Sequence, residues 1–286
     1  MSLFQAFQAF PALFVTSVVM LSLAIGSFLN VVIHRLPKML ERQWRDELTE
    51  LNGAELATVP RYNLMVPRSA CPACAHPISA LENVPLLSYL VLRGKCKACH
   101  TGISPRYPFV EALTAALSGY VAWRYGFSWH TLATLVFVWA LIALAFIDLD
   151  TFYLPDDITL PLVWTGLLAN MAGLFVDLQS AVTGAIVGYL SLWLVFWAYK
   201  LATGKDGMGY GDFKLLAAIG AWLGWKMVPV VILLSSFVGA IVGISLMIFA
   251  RHGRDVPIPF GPYLVLGGMS ALFWGEQLLK YYLQSL

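Results

Sequence analysis

Long uncharged runs, broken by short polar stretches, set the pattern of the chain. Residues 10–33, 127–147, 158–176, 178–199 and 227–250 contain no Asp, Glu, Lys or Arg. Each supplies roughly the 20 apolar positions that a helix needs to cross the hydrocarbon core of a bilayer. Residues 256–275 form a similar run, whose Pro257 and Pro259 put the start of the helix proper near Gly261. Residues 108–125 form a weaker one, with Glu111 a turn inside and Arg124 at its far end. Residues 215–225 offer only 11 uncharged positions, too few to span alone, so this run must tilt, borrow its flanks or end early. The pattern predicts an all-α polytopic membrane protein of about eight transmembrane helices, with the sixth run in doubt.

The one sizeable polar stretch, residues 34–107, lies between the first run and the second. Within it, residues 41–56 read as a charged helix with Leu48, Leu51 and Leu56 as a sparse apolar side. The stretch carries ten of the eighteen Lys and Arg residues, which places it in the cytoplasm and the N-terminus outside. With eight spans, Lys200, Lys205, Lys214, Arg251 and Arg254 also fall inside, giving fifteen basic residues inside and three outside. If the sixth run fails to span, Lys226 and Lys280 move in, Arg251 and Arg254 move out, and the ratio is again fifteen to three. Charge therefore orients the first half and leaves the second open. No Lys or Arg precedes Arg35, so the first run lacks the basic flank of a cleaved signal peptide.

Composition agrees and excludes other classes. Hydrophobic residues make up 59% of the 286 and charged ones 12%, against about 25% charged in soluble domains. Mean hydropathy is +0.74. Disorder is excluded by the abundance of apolar residues, and a net charge of +2 gives no field to attract nucleic acid.

All four cysteines sit in the polar stretch, as Cys71-Pro-Ala-Cys74 and Cys96-Lys-Ala-Cys99, with 21 residues between the pairs. Two such knuckles can point four thiolates at one tetrahedral zinc, and a four-cysteine site with no open position is structural. His76 and His100 stand beside the second Cys of each pair as alternative ligands. Unligated thiols or a redox pair are the plainer readings, and a reducing cytoplasm disfavours stable disulfides.

Carboxylates gather at the ends of apolar runs. Asp148 and Asp150 end the third run, Asp156 and Asp157 follow Pro155, and Asp212 closes Gly207-Met-Gly-Tyr-Gly-Asp212. Ionisable groups at this depth are costly unless paired or wet, which favours a functional reading. Asp148 and Asp150 are two residues apart, so a continuing helix turns at most one of them towards Asp212. Asp156 or Asp157 reads as a helix N-cap, Glu111 as a side chain reaching to Arg106 or towards a ligand, and His34 and Arg35 as an interface anchor. Asn30 and Asn170 read as glue between helices, and the Trp and Tyr residues as interfacial belts.

These motifs together resemble the bacterial type IV prepilin leader peptidase/N-methyltransferase family. The likeness runs from Gly26-Ser-Phe-Leu-Asn-Val-Val-Ile-His-Arg-Leu-Pro37 through both Cys pairs, Glu82-Asn-Val-Pro85 and Ile103-Ser-Pro-Arg-Tyr-Pro-Phe-Val-Glu111. It continues in Phe146-Ile-Asp-Leu-Asp150, Leu154-Pro-Asp156 and Gly209-Tyr-Gly-Asp-Phe-Lys214. The resemblance implies a multi-pass inner-membrane aspartyl protease acting at the cytoplasmic face. Its substrates would be type IV prepilins and type II secretion pseudopilins, with no nucleic acid and with membrane lipid as surroundings. It implies Asp148 and Asp212 as the catalytic pair, and N-methylation of the freed N-terminus from S-adenosylmethionine. On this reading residues 1–33 are a first helix, 34–107 a cytoplasmic loop domain holding zinc on Cys71, Cys74, Cys96 and Cys99, and 108–286 the protease domain of about seven helices. The methyl-donor site is not legible: no Gly-x-Gly-x-x-Gly unit is present, and Glu82, Arg106 and Glu111 are only candidates.

Two rival classes use the same residues. A transporter would carry its acids at mid-membrane depth, whereas these lie at run ends. A metal-dependent lipid-linked transferase would use Asp148-Leu-Asp150 as a metal clamp. A zinc-anchored scaffold would leave Asp148 and Asp212 unexplained.

Overall fold

A computed structural model describes residues 3–53, 60–79, 81–249 and 258–284. The helices are α1 (Leu3–Ala9), α2 (Pro11–Leu51), α3 (Leu87–Val91), α4 (Arg106–Tyr125), α5 (Trp129–Thr151), α6 (Asp156–Met171), α7 (Leu178–Thr203), α8 (Tyr210–Leu223), α9 (Met227–Phe249) and α10 (Gly261–Gln284). A 3-10 turn at Leu81–Asn83 and two isolated β-bridges complete the regular structure, and the described residues contain no β-strand. The chain forms two compact units, Met1–Trp139 and Ala140–Leu286, and the boundary passes through α5.

Each of the eight expected runs forms a helix. Four of them, Pro11–Leu51, Trp129–Thr151, Leu178–Thr203 and Met227–Ile248, are long and apolar enough to cross a membrane alone. The others are shorter or less apolar, and α6 and α8 have only 16 and 14 residues. Arg251, Arg254, Leu56 and Pro257, used in the sequence reading, lie outside the described residues.

In the first unit, α2 continues without a break from the apolar run through Leu51, so the charged helix expected at 41–56 is the extension of the first one. Pro37 removes one backbone donor, yet the strong helix formers after it carry the helix on, and Arg45 pairs with Glu41 at 2.9 Å. Pro11 suits the first turn, where its missing N–H has no partner to lose. Helix α4 packs on α2. A Cβ on Gly26 would stand 2.7 Å from Glu111 Cα, and one on Gly119 would stand 2.8 Å from Val19, so glycine lets the backbones close up. Asn30 Nδ2 donates to the Tyr107 carbonyl at 3.0 Å, the gluing role expected of it. Arg35 departs from the expected interface anchor: it is buried, donates to the Asn63 carbonyl at 3.0 Å and lies over the Tyr62 ring. A buried guanidinium needs such partners, and the loop after α2 supplies them.

The second unit is built around α8. At about 21 Å the helix is shorter than the roughly 30 Å hydrocarbon core. It tolerates this because α6, α7, α9 and α10 all pack on it, and Leu215 through Leu223 are buried without exception. The short sixth run is thus the centre of the unit. Gly184 and Gly220 meet backbone to backbone, and a Cβ on Gly188 would stand 2.6 Å from the Leu216 carbonyl oxygen. Asn170 satisfies both ends of its amide. Its Nδ2 donates to the Ala221 and Trp222 carbonyls at 2.8 and 3.0 Å, and its Oδ1 accepts from Phe175 and Val176. It thereby fills orphan carbonyls at the end of α8. Trp123, Trp129 and Trp164 are exposed, whereas Trp222, expected in a belt like the other Trp residues, is buried and donates its indole N–H to the Leu162 carbonyl at 2.8 Å.

Candidate active site and metal centre

Asp148 sits in the last turn of α5 and Asp212 in the first turn of α8. Both are buried, at 5% and 8% exposure, and they lie close enough for the charge of Asp148 to act on Asp212. Asp148 Oδ2 accepts the Gly261 N–H at 2.9 Å. That N–H opens α10, where helix geometry leaves the donor without an internal acceptor and the dipole favours an anion. A Cβ on Gly261 would come within 2.6 Å of the same oxygen, so only glycine admits the carboxylate.

Leu154 connects the two halves of the site. It is buried and would meet a Cβ on Gly211 at 2.8 Å and one on Gly261 at 3.3 Å. Gly211 thus allows the residue before Asp212 to close on Leu154. Asp156, expected as a helix N-cap, instead occupies the first position of α6, and Lys214 Nζ donates to both its carboxylate oxygens at 2.7 Å. Pro155 takes the cap position, with no side-chain cap. Asp150 and Asp157 are exposed. Asp148 and Asp150 therefore face apart, which removes the shared metal clamp of the transferase reading.

The sequence reading missed Gly261 as the partner of Asp148. Gly261-Pro262 marks a helix start, but nothing in it names a carboxylate 113 residues earlier. It also missed Lys214 as the partner of Asp156. Glu111 does not reach out to Arg106: it is buried, and its Oε2 accepts the Leu86 N–H at 2.9 Å.

In the first unit the four cysteine sulfurs lie within 4.8 Å of one another. Sγ–Sγ distances are 3.8 Å for Cys71–Cys99 and 3.9 Å for Cys74–Cys96. Tetrahedral zinc with bonds of about 2.3 Å requires sulfurs about 3.8 Å apart, so the donor set fits the ion. The knuckles repeat one geometry. Cys71 N–H donates to the His76 carbonyl and Cys96 N–H to that of Thr101, and Ala75 and His100 both turn to positive φ. The Thr101 hydroxyl and N–H hold the Cys99 thiol down at about 6. Although the His76 N–H favours its thiolate, Cys74 is pushed up to about 12, chiefly by Cys99. Four thiols this close cannot all ionise without a cation among them.

His76, expected as an alternative ligand, turns to a carboxylate instead. Its Nε2 lies 3.3 Å from Glu82, which also pairs with Lys97 at 3.2 Å and accepts the Ser79 N–H. The Ser79 N–H, with Lys97 and His76 beside it, holds the Glu82 carboxyl below the usual range. Glu82 thus ties a residue next to the first knuckle to one inside the second. Among the described residues, the four cysteines are the one group of three or more His, Cys, Asp or Glu that can share an ion.

Residues 20–125 match the model described as Bacterial Peptidase A24 N-terminal domain, and residues 135–244 match that of the Type IV leader peptidase family. Curated relatives from several bacteria carry the name Prepilin leader peptidase/N-methyltransferase. The one from Aeromonas hydrophila is 57% identical over 98% of both chains. That of Aeromonas salmonicida (strain A449) is 55% identical over 99% of both. That of Pseudomonas aeruginosa is 53% identical over 99% of this chain and 98% of its own. No solved structure matches the chain. Identity above one half along nearly the whole length leaves one placement: the chain belongs to the type IV leader peptidase family.

Proposed function

We propose that this protein cuts the basic leader from type IV prepilins and type II secretion pseudopilins, then methylates the new N-terminus from S-adenosylmethionine. The observation that carries the hydrolytic half is the buried pair Asp148 and Asp212, each at a helix end, with Asp212 within the field of Asp148. Two such carboxyls share one proton, because ionising both side by side is costly. The ionised one takes a proton from water as it attacks the scissile carbonyl, and the protonated one donates a hydrogen bond to the carbonyl oxygen. The Gly261 N–H holds Asp148 in place for this. Asp150, exposed on the other side of α5, takes no part.

Cys71, Cys74, Cys96 and Cys99 hold one structural zinc, which cross-links the two knuckles. We assign the zinc-held segment to residues 34–107 and hydrolysis to 108–286. The methyl donor is a substrate, and the polar segment 34–107 is the one roomy place for it outside the apolar runs. Glu82 and Glu111, considered for it, already have internal partners. The protein is a multi-pass protein of the bacterial inner membrane, with the N-terminus periplasmic and the dyad at the cytoplasmic face. Charge supports this, through the ten basic residues of 34–107. A prepilin joins a cytoplasmic basic leader to an apolar helix, so its scissile bond meets the dyad at the interface.

Incubating the purified protein with a prepilin and weighing the products decides the reading. Cleavage without the methyl donor, and a further gain of one methyl group with it, is the expected result. An uncut prepilin defeats it.

A further inference from the structure

Residues 81–91 are turned inside out for a segment surrounded by water. Two of its polar members, Glu82 and Ser88, face the protein, while Asn83 is exposed: Glu82 binds Ser79, His76 and Lys97, and Ser88 Oγ donates to the Glu82 carbonyl. Five of its six aliphatic members face away, and Leu86 is half-buried. Leu81, Leu87, Leu90 and Val91 are 84%, 60%, 70% and 79% exposed, and Val84 is exposed beside them. A water-borne loop would show the reverse pattern, since exposed apolar clusters are rare without a partner surface.

Depth identifies what covers this face. The Leu86 N–H is held by Glu111 Oε2 at 2.9 Å, and the Glu111 Cα abuts Gly26 of α2. Gly26 lies seven residues before Ile33, the last residue of the uncharged run. That is about 10 Å along the helix, inside the membrane-crossing part of α2. One carboxylate side chain therefore fixes Leu86 near that level. Leu86 adopts φ +57°, a costly conformation for a residue with a Cβ, and the Glu111 contact supports it. Exposed Arg93 and Lys95 follow the segment, suited to phosphate headgroups.

We propose that residues 81–91 lie in the headgroup–acyl boundary of the bilayer, so that the cysteine knuckles are docked on lipid rather than free in the cytoplasm. The occupant of the exposed face is phospholipid. The proposal is independent of proteolysis, and its test does not read activity.

The full-length protein, in nanodiscs of phosphatidylcholine and phosphatidylglycerol, is irradiated with a phospholipid carrying a diazirine on its acyl chain. Labelled residues are located by mass spectrometry, with Met20 and Phe28 of α2 as exposed positions within the apolar run. Residues 87–91 should be labelled at least about tenfold more than the exposed residues 45–51 of α2. Equal labelling of the two segments overturns the proposal. So does labelling of 87–91 that disappears when a saturating prepilin is added, which would make the substrate the occupant. A Leu87→Asp/Leu90→Asp variant with the parent's zinc content should lose the labelling, and full retention would count against lipid contact.

Discussion

Asparagine at position 148 keeps an oxygen that can accept the Gly261 N–H but cannot take a proton from water. Asp148→Asn should therefore fold as the parent does and lose about a thousandfold or more in leader cleavage, and Asp212→Asn should do the same. The double variant should be no worse than either single one, because residues acting as a unit fail together. Asp150→Asn should keep substantial cleavage. A dead Asp150→Asn beside an active Asp148→Asn would move the dyad. Gly261→Ala tests orientation separately: its methyl group would enter the space of Asp148 Oδ2. Turnover should fall by about a hundredfold, the usual cost of a small misplacement, with substrate KM little changed. Full turnover in that variant would show that the Gly261 contact does not set the geometry. Acids at run ends are conspicuous, so Asp148, Asp150 and Asp212 stood out as candidates, and the family resemblance, not their position, put Asp148 ahead of Asp150. Gly261 was not, because its contribution is a backbone N–H, and any residue but proline carries one.

At the scale of elements, each of the eight apolar runs located a helix, but the runs did not show where α2 ends or that α8 is enclosed. Periodicity and charge cut α2 near Ile33, where the surroundings change from lipid to water; the backbone, made of good helix formers, does not stop there. Run length marked α8 as doubtful because it assumes that a helix faces lipid. A helix enclosed by four others needs no such length. Asn170 makes a test of this enclosure, since it joins the end of α8 to the turn after α6 through all four of its hydrogen bonds. Asn170→Leu keeps the volume and strands buried carbonyls and N–H groups at about 1–3 kcal/mol each. Thermal unfolding in detergent should show a loss of about 2 kcal/mol or more. An unchanged melting temperature would mean that water fills the gap.

For the whole molecule, the expectations concern the zinc and the direction of insertion. The Cys71→Ser/Cys96→Ser variant should lose its zinc on metal analysis, while the parent carries about one per chain. Full zinc in the variant would remove the four-cysteine site. Cleavage should suffer less than folding of the polar segment, since Asp148 and Asp212 belong to the other unit. Direction can be read with Asp177→Cys in a background without native cysteines. Asp177 caps α7 through the Ser180 N–H and sits in a short turn that the proposed orientation puts outside. An impermeant thiol reagent should label it in intact cells, and protection there would reverse the orientation.

The contact between Asp148 and Gly261 also sets an order in time. A chain emerging from the ribosome acquires Asp148 first, Asp212 some sixty residues later, and Gly261 only after a further stretch that includes α9. Until α10 follows α9 into place, the first aspartate lacks the backbone donor that orients it. On the proposed mechanism, the nascent protein is therefore immature as a protease even when both acids have been made. Competence arrives with a late segment, after the surrounding helices are in place.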